Sequence, residues 1–412
     1  MTAVIEPAID IWDPALYNDP WETYRWLRNN APIYKAPVDR YFSQHDTNLY
    51  VISRHEDISA IERTPEIFSN ADGVRPVPAD MSLIAMDAPE HTAHRRLINK
   101  GFTPRMVGRI RDHVEDVTIE ILDEIKAKGS IDFVEDFSCH IPLIVIAELM
   151  GMPPEDRADL YRWSDDMMGG DGHMDPDDPV IQRATNAFGE WIPYVQQHVA
   201  EKKVNPTNDL ISILTGAFSE EFGTDAEDVI EDDELLMFLT LLIVAGNETT
   251  RNGISGGLIA LSENPDQRDK LVANIRDQEY VNRAVEEVLR YYSPVLSFLR
   301  TVKQPYEYKG TQFETGDKVL VLYQSANRDE DVFEDADVFD IERDHNPHIA
   351  FGIGPHFCLG ANLARMEMQV VFRHLFDVLP DIATTGRLAH RGPSRLVTRI
   401  EHLPATFTPV TG

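Results

Sequence analysis

Apolar and polar residues in this 412-residue chain recur mostly at the three-to-four spacing of amphipathic helices. Shorter strand-like runs interrupt them near Tyr50–Ser53, near Lys318–Tyr323 and in the closing thirty residues. The strongest pattern spans Asp232 to Asn264, where Asp232 or Asp233 can cap a helix start and Pro265 follows its end. At roughly 1.5 Å per residue such a helix would run about 45 Å, enough to cross a domain. Its apolar run from Leu235 to Gly246 is punctuated by Thr240 and closes on polar residues, which predicts a core helix rather than a membrane span. No Gly/Ser linker, low-complexity tract or internal repeat divides the chain. The expectation is one mainly α domain over 1–412, with a smaller β portion and a long central helix.

Halfway along that helix the pattern breaks at Ala245-Gly246-Asn247-Glu248-Thr249-Thr250. Gly246 costs about 1 kcal/mol of helix stability relative to alanine. One reading is a kink, with threonine hydroxyls bonded back to carbonyls one turn earlier. The other is chemical. Small residues open a groove for a ligand, a hydroxyl holds a water, and an adjacent acid relays protons.

A second break lies at Phe351-Gly352-Ile353-Gly354-Pro355-His356-Phe357-Cys358-Leu359-Gly360. Glycines let the backbone fold back so that its amides point at a sulfur and a flat group can lie close. A helix starting near Leu359 would add the positive end of its dipole, and both effects favour a thiolate. Taken alone, Cys358 could equally be a small buried hydrophobe, as Cys139 is expected to be beside the apolar stretch Ile141–Met150. A dinucleotide loop is a weaker alternative, because its third glycine falls at Phe357. The two cysteines make neither a disulfide framework nor a zinc spacing.

The formal charge of −32 argues against nucleic acid. The acidic, proline-broken start has no basic n-region and no apolar stretch of targeting length, so a soluble, cytoplasmic protein is expected. Arg95, Arg96, Arg105, Arg109 and Arg111 nonetheless cluster, and Arg365 and Arg373 follow the cysteine loop.

The pattern Phe-Gly-x-Gly-x-His-x-Cys-x-Gly resembles the haem-binding loop of the cytochrome P450 family, and Ala245–Thr250 resembles that family's oxygen-activating motif. Glu287-Val288-Leu289-Arg290 would read alone as a solvated i,i+3 pair. With Asn327-Arg328-Asp329 and Phe339–Arg343 it resembles the family's helix pair and meander, which implies a buried Glu287–Arg290–Arg343 network. Asp87–Arg95 resembles the segment entering the helix beside the haem. The resemblance covers about Trp12 to Phe407, with a flavour of the bacterial sterol, terpenoid and fatty-acid hydroxylases.

It implies a cytochrome P450 fold, haem b as cofactor and Cys358 as the iron ligand. It places His91, Arg95, Ala245, Gly246, Arg300, Phe351, His356, Cys358 and Gly360 around the haem. Thr249 and Glu248 are the implied catalytic pair, and Val295 and Phe298 the implied substrate contacts. His94 is expected to be a surface or packing histidine. The implied reaction is hydroxylation of an unactivated C–H bond in a medium-to-large lipophile (terpenoid, steroid or fatty acid). It would use O2 and two electrons from a ferredoxin and its NAD(P)H-dependent reductase, with Arg105, Arg109, Arg111 and Arg365 as docking candidates. Alternatives are a peroxide-driven hydroxylase and a haem-thiolate ligand or gas sensor. A monomer is expected. The apolar stretches Val74–Met86, Met167–Met174, Leu239–Ala245 and Val295–Leu299 are expected to line the pocket, with Arg75 available for a fatty acid and a hinge-rich lid over 164–180.

Overall fold

A computed structural model describes residues 7–411 except 14, 17–18, 38–46, 77–81, 103, 171–172, 174, 217–229 and 386–395. Its helices are α1 (Trp21–Asn30), α2 (His55–Glu62), α3 (Glu90–Ile98), α4 (Pro104–Ile125), α5 (His140–Leu149), α6 (Arg157–Gly169), α7 (Pro179–Val204), α8 (Leu210–Leu214), α9 (Asp232–Glu263), α10 (Pro265–Ala273), α11 (Gln278–Tyr291), α12 (Tyr323–Ala326) and α13 (Ala361–Val378). The strands are β1 (Ile33–Lys35), β2 (Leu49–Ile52), β3 (Phe68–Ser69), β4 (Ser130–Asp132), β5 (Ser297–Val302), β6 (Tyr306–Tyr308), β7 (Thr311–Phe313), β8 (Lys318–Leu322), β9 (Ala383–Thr384) and β10 (Pro404–Thr406).

The central helix forms where the apolar pattern places it, though its start differs. Glu231, not an aspartate, holds the cap position and makes no side-chain bond there. Asp232, Asp233 and Glu234 instead occupy the first turn, where negative charge complements the helix dipole. At the other end Pro265 opens α10, a position that needs no N–H. Helices α5, α6, α11 and α13 pack against α9 and leave most of its length buried. Thr240, which punctuated the apolar run, is satisfied inside this core: it accepts the Trp191 indole N–H at 2.8 Å and donates to the Leu236 carbonyl at 2.8 Å. No helix among the described residues is long and apolar enough to cross a membrane.

The main sheet has the order β1-β2-β8-β5-β3, with β2 and β8 parallel and the other pairs antiparallel. It is apolar on both faces, as alternation demands when both are covered. Val51, Leu299, Leu320 and Leu322 join the cluster around α1, while Ile52, Val302, Val319 and Val321 join another with residues of α2. Strand β5 thereby carries Phe298 from the sheet toward the helical layer.

Between β8 and α13 lies a long stretch with little regular structure, and one carboxylate organises it. Glu287 on α11 accepts five hydrogen bonds: two from Arg290 at 2.7 Å each, and one each from Asp340 N (2.8 Å), Arg343 Nε (3.2 Å) and Asn346 Nδ2 (3.2 Å). Arg290 in turn donates to the carbonyls of Asn327, Ala336 and Val338. Both side chains are fully buried, so the solvated-pair reading of Glu287 and Arg290 is wrong. Removing one partner leaves a buried charge uncompensated. Glu287→Ala is expected to lower stability by about 3–5 kcal/mol in denaturant unfolding; a loss below about 1 kcal/mol would mean that water reaches the pair.

Candidate active site

The cysteine loop is built around backbone that only glycine accepts comfortably. Gly352 and Gly354 have φ of 68° and 75°. A Cβ on Gly354 would also sit 2.5 Å from the Glu62 carbonyl oxygen. The chain folds back so that Cys358 N–H donates to the Phe351 carbonyl at 2.9 Å, and α13 begins two residues later than Leu359. Two carboxylates, one buried and one half-buried, clamp the loop. On one side Glu62 accepts from Ile353 N (3.0 Å), from the Tyr323 hydroxyl (2.5 Å) and from Arg300. On the other, Glu286 binds Arg365 through two contacts (2.7 and 2.9 Å) and His348 Nε2 at 2.9 Å, with the Arg365 guanidinium 4.5 Å from the Phe351 ring centre. Burial works against the Glu286 charge, but His348 and Arg365 outweigh it and hold its carboxyl at about 2.

Cys358 is exposed, and it opens onto an internal cavity rather than the outer surface. Burial pushes its thiol up; the Gly360 N–H and the guanidinium groups of Arg95 and Arg365 pull it back toward thiolate. Cys139 is different. It is 2 % exposed, and burial pushes its thiol up to about 12, which leaves an inert packing residue, as expected.

The cavity holds about 1380 Å³ free of protein atoms, counting solvent at its mouth. Phe351, His356, Cys358 and Gly360 line it from the loop, Ala245, Gly246 and Thr249 from α9, His91 and Arg95 from α3, and Val295 and Phe298 from around β5. The remaining walls are chiefly apolar, among them Leu83, Ile84, Phe102, Phe238, Leu241 and Leu242. Of the expected lining stretches, Met167–Met174 contributes nothing among the described residues, since Met167 and Met168 pack into the core. Arg75 does not line the cavity either. The lid expected over 164–180 includes Asp171, Gly172 and Met174, which lie outside the described residues.

The polar cluster of α9 divides between the cavity and the core. Thr249 Oγ1 donates back to the Ala245 carbonyl at 2.7 Å, and the same residue faces the cavity. Gly246 also eases the packing: a Cβ there would lie 2.6 Å from Ile146 Cδ1 of α5, whose end would have to shift. Glu248 does not line the cavity. It is 1 % exposed, ion-paired to Arg251, and accepts from Asn252 Nδ2 at 2.8 Å. Arg251 also pairs with Asp165 of α6 at 3.2 Å, and Asp165 lies 3.4 Å from Arg399. Spacing alone could not show that this acid is clamped away from its neighbour.

Helix α3 supplies the polar wall. The His91 and His356 rings meet at a tilt of 35° with centres 4.0 Å apart. Burial and nearby cations push His91 down, and burial first, then His91 and Arg300, push His356 down to about 3. His91 Nε2 is buried without a partner, and Arg95 Nη2 donates to the Phe357 carbonyl at 2.8 Å. An orphan imidazole nitrogen, a guanidinium and a cysteine sulfur on one cavity, opposite a helix thinned by Ala245 and Gly246, fit a flat dianionic group whose metal takes a thiolate. Haem is such a group. Arg300 is brought elsewhere: it is 3 % exposed, pairs with Glu62 and donates to the Leu299 carbonyl, and does not line the cavity. Among the docking candidates, Arg365 is committed to Glu286, while the side chains of Arg105 and Arg109 lie outside the described residues. Glu62, Glu286 and Glu367, the last also lining the cavity, escaped the sequence reading because no short motif marks them.

Residues 179–378 match the cytochrome P450 family model. A steroid C26-monooxygenase of Mycolicibacterium smegmatis is 38 % identical over 403 residues, covering 94 % of this chain and 91 % of that protein. One of Rhodococcus jostii is 37 % identical over 405 residues, covering 93 % and 83 %. Among solved structures, a Mycobacterium marinum cytochrome P450 in complex with pseudoionone superposes with a TM-score of 0.87 at 32 % identity, covering 98 % of this chain and 100 % of that one. A Bacillus megaterium relative in complex with testosterone gives 0.81 at 31 % identity, covering 94 % and 99 %.

The wall made by α3 is anchored through His94, which is a packing histidine as expected but a titratable one. Its Nε2 meets Glu234 Oε2 of α9 at 2.7 Å, and its Nδ1 meets the Glu90 carbonyl at 2.9 Å. Burial opposes the imidazolium, but Glu234 and Glu90 more than offset it and raise His94 above its usual value. A raised histidine stabilises the fold fully below its unfolded value and loses that contribution as pH rises through the folded one. The melting-temperature deficit of His94→Gln is therefore expected to be larger at pH 6 than at pH 8.5. An equal deficit at both would show that the pair adds no pH-dependent stability.

Proposed function

The chain belongs to the cytochrome P450 family, and from that premise we propose that it hydroxylates an unactivated C–H bond of a neutral, steroid-sized lipophile. It is a monooxygenase with haem as cofactor. The observation that carries the substrate reading is the cavity wall: Phe238, Leu241, Leu242, Val295 and Phe298 offer apolar surface, and the charged groups cluster at the cysteine and α3 side. The relatives named for steroid oxidation and the testosterone-bound neighbour support the same class.

Bound in this cavity, haem supplies the hard chemistry, activating O2 with two electrons and inserting one oxygen atom. Cys358 Sγ would hold the iron; burial pushes its thiol up, and the Gly360 N–H, Arg95 and Arg365 oppose that rise. His91 Nε2 and Arg95 would bind the carboxylates of the group, and Ala245 and Gly246 would leave room for it beside α9. Arg300 and Glu62 act one step removed, by fixing the loop at Ile353.

Thr249 is set to hold water. Because its hydroxyl proton is given to the Ala245 carbonyl, its oxygen is left to accept from a water in the cavity, which orients that water's second proton inward. Glu248 resupplies protons only after releasing Arg251 and Asn252. Asp165 offers Arg251 an alternative carboxylate, so α6 can influence when that happens. Electrons come from a ferredoxin and its NAD(P)H-dependent reductase, with Arg111 on α4 as a docking candidate and Arg365 withdrawn from that role by its pairing.

Thr249→Ala is expected to raise severalfold the hydrogen peroxide released per NAD(P)H consumed, while leaving the substrate-induced spectral change intact; an unchanged ratio would make Thr249 structural only. The substrate reading is tested by optical titration of the ferric protein with steroids, terpenoids and linear fatty acids. A saturating low- to high-spin shift is expected with a steroid at lower concentration than with any fatty acid. A response to fatty acids alone would overturn it, and turnover with peroxide in place of the electron donors would favour the peroxide-driven alternative.

A further inference from the structure

The short turn Ser82–Ala85 brings Leu83 and Ile84 to the cavity, and it cannot hold itself in place. Four residues of 3-10 helix make few bonds of their own. Ser82 enters the turn at φ 52°, a left-handed conformation that a residue with a Cβ keeps only where its surroundings impose it. The turn packs against α3 and α9, whose interior backbone groups are already spent within the helices.

Asn70 supplies the missing hold. It is 2 % exposed, and its Nδ2 donates to the Ile84 carbonyl at 3.0 Å, fourteen positions along the chain. Asp87 secures the other side of the turn. Its Oδ1 accepts the Asn70 N–H at 3.0 Å, and its Oδ2 accepts the Ser69 hydroxyl at 2.6 Å and Lys303 Nζ at 3.1 Å. Lys303 follows β5 and donates its own N–H to the Ile67 carbonyl, so this clasp is tied to the edge of the main sheet. The Asp87 carbonyl accepts the His91 N–H at 2.9 Å, in the first turn of α3. One residue thus joins the wall carrying Leu83 and Ile84 to the wall carrying His91 and Arg95. Strand β3 keeps its own place by pairing Phe68 with Val302 and Ser69 with Thr301. What the Asn70–Ile84 bond adds is the position of the cavity wall.

We propose that Asn70 sets the substrate preference of the cavity: clasped by Asp87, it fixes how far Leu83 and Ile84 project inward, and so favours rigid, ring-shaped lipophiles over flexible chains. A rigid ligand cannot change shape to meet a displaced wall, whereas a linear chain bends to follow it. Holding the wall beforehand removes the cost of ordering it on binding. Asn70 does not itself line the cavity, so it is a positioning residue that acts through the two apolar side chains. The positioning rests on the cavity alone, and the preference for rings rests on the steroid reading above.

A mutant cycle tests this, read by low- to high-spin titration of the haem-loaded protein with a steroid and with a linear fatty acid. Asn70→Ala removes the hold. Asn70→Asp keeps the shape but has no N–H for the Ile84 carbonyl, and it carries the test if the alanine variant fails to load haem. Either should weaken steroid binding severalfold and fatty-acid binding by a smaller factor, with the thiolate carbon monoxide spectrum unchanged. In a Leu83→Ala/Ile84→Ala background the same substitution should add nothing, because residues that act through one another are not additive. Full additivity in that background, equal weakening for both ligands, or parental affinity for the steroid would overturn the proposal. A parent that responds to fatty acids alone defeats the steroid reading instead, and the cycle read with the fatty acid then decides whether Asn70 positions the wall.

Discussion

The Glu287 carboxylate is the interaction on which the rest of this structure depends. Five donors converge on two oxygens with no water between them, and they come from α11 and from an irregular stretch that neither helix nor sheet bonding could hold. Irregular backbone inside a protein must have its polar groups matched one by one. Arg290 does this for three carbonyls while remaining neutralised by Glu287. The geometry is strict because the dielectric is low: a fully satisfied network rigidifies, and a partly satisfied one is costly. What this rigidity delivers is the entry point of the cysteine loop, since the chain leaving Asn346 runs straight into it.

The loop is then gripped from two sides by carboxylates that differ in kind. Glu286 is held strongly anionic by Arg365 and His348, so it works as a fixed charge that also sets the Arg365 plane against Phe351. Glu62 is pushed up by burial and pulled back by Arg300, the Tyr323 hydroxyl and the Ile353 N–H, so it works through hydrogen bonds. Between them Cys358 is placed with little freedom. The sulfur faces into the cavity because the backbone around it is already committed, not because anything attracts it there.

How much of this was legible in the sequence depends on the reach of each interaction. The cysteine loop and the α9 cluster could be read because their chemistry is carried by neighbours: glycines beside a cysteine, an alcohol beside an acid. The Glu287–Arg290 pair could be read only through resemblance, since an i,i+3 pair by itself points to the surface. Arg300 could not be placed. Its partner Glu62 lies 238 positions away, and no local pattern distinguishes an arginine bound to a propionate from one bound to a buried glutamate. Glu367 was invisible for a related reason. In sequence it is one polar residue on an amphipathic helix, and what sets it apart is the absence of any partner once the helix is packed.

The α9 cluster shows where reading by adjacency fails. Adjacent residues of a helix need not share a face: Ala245 and Gly246 both line the cavity, whereas of Glu248 and Thr249 only the threonine does. Thr249 takes the cavity; Glu248 is turned into the α6 interface, where burial demands Arg251 and Asn252 as partners. One of its oxygens accepts from Arg251 and the other from Asn252, so neither is open to a new partner until one of these lets go. A proton relay through Glu248 would therefore require a change of partners around it. The two neighbours thus meet opposite physical conditions: Thr249 keeps its hydroxyl on the cavity, and Glu248 has both of its oxygens committed inside the core.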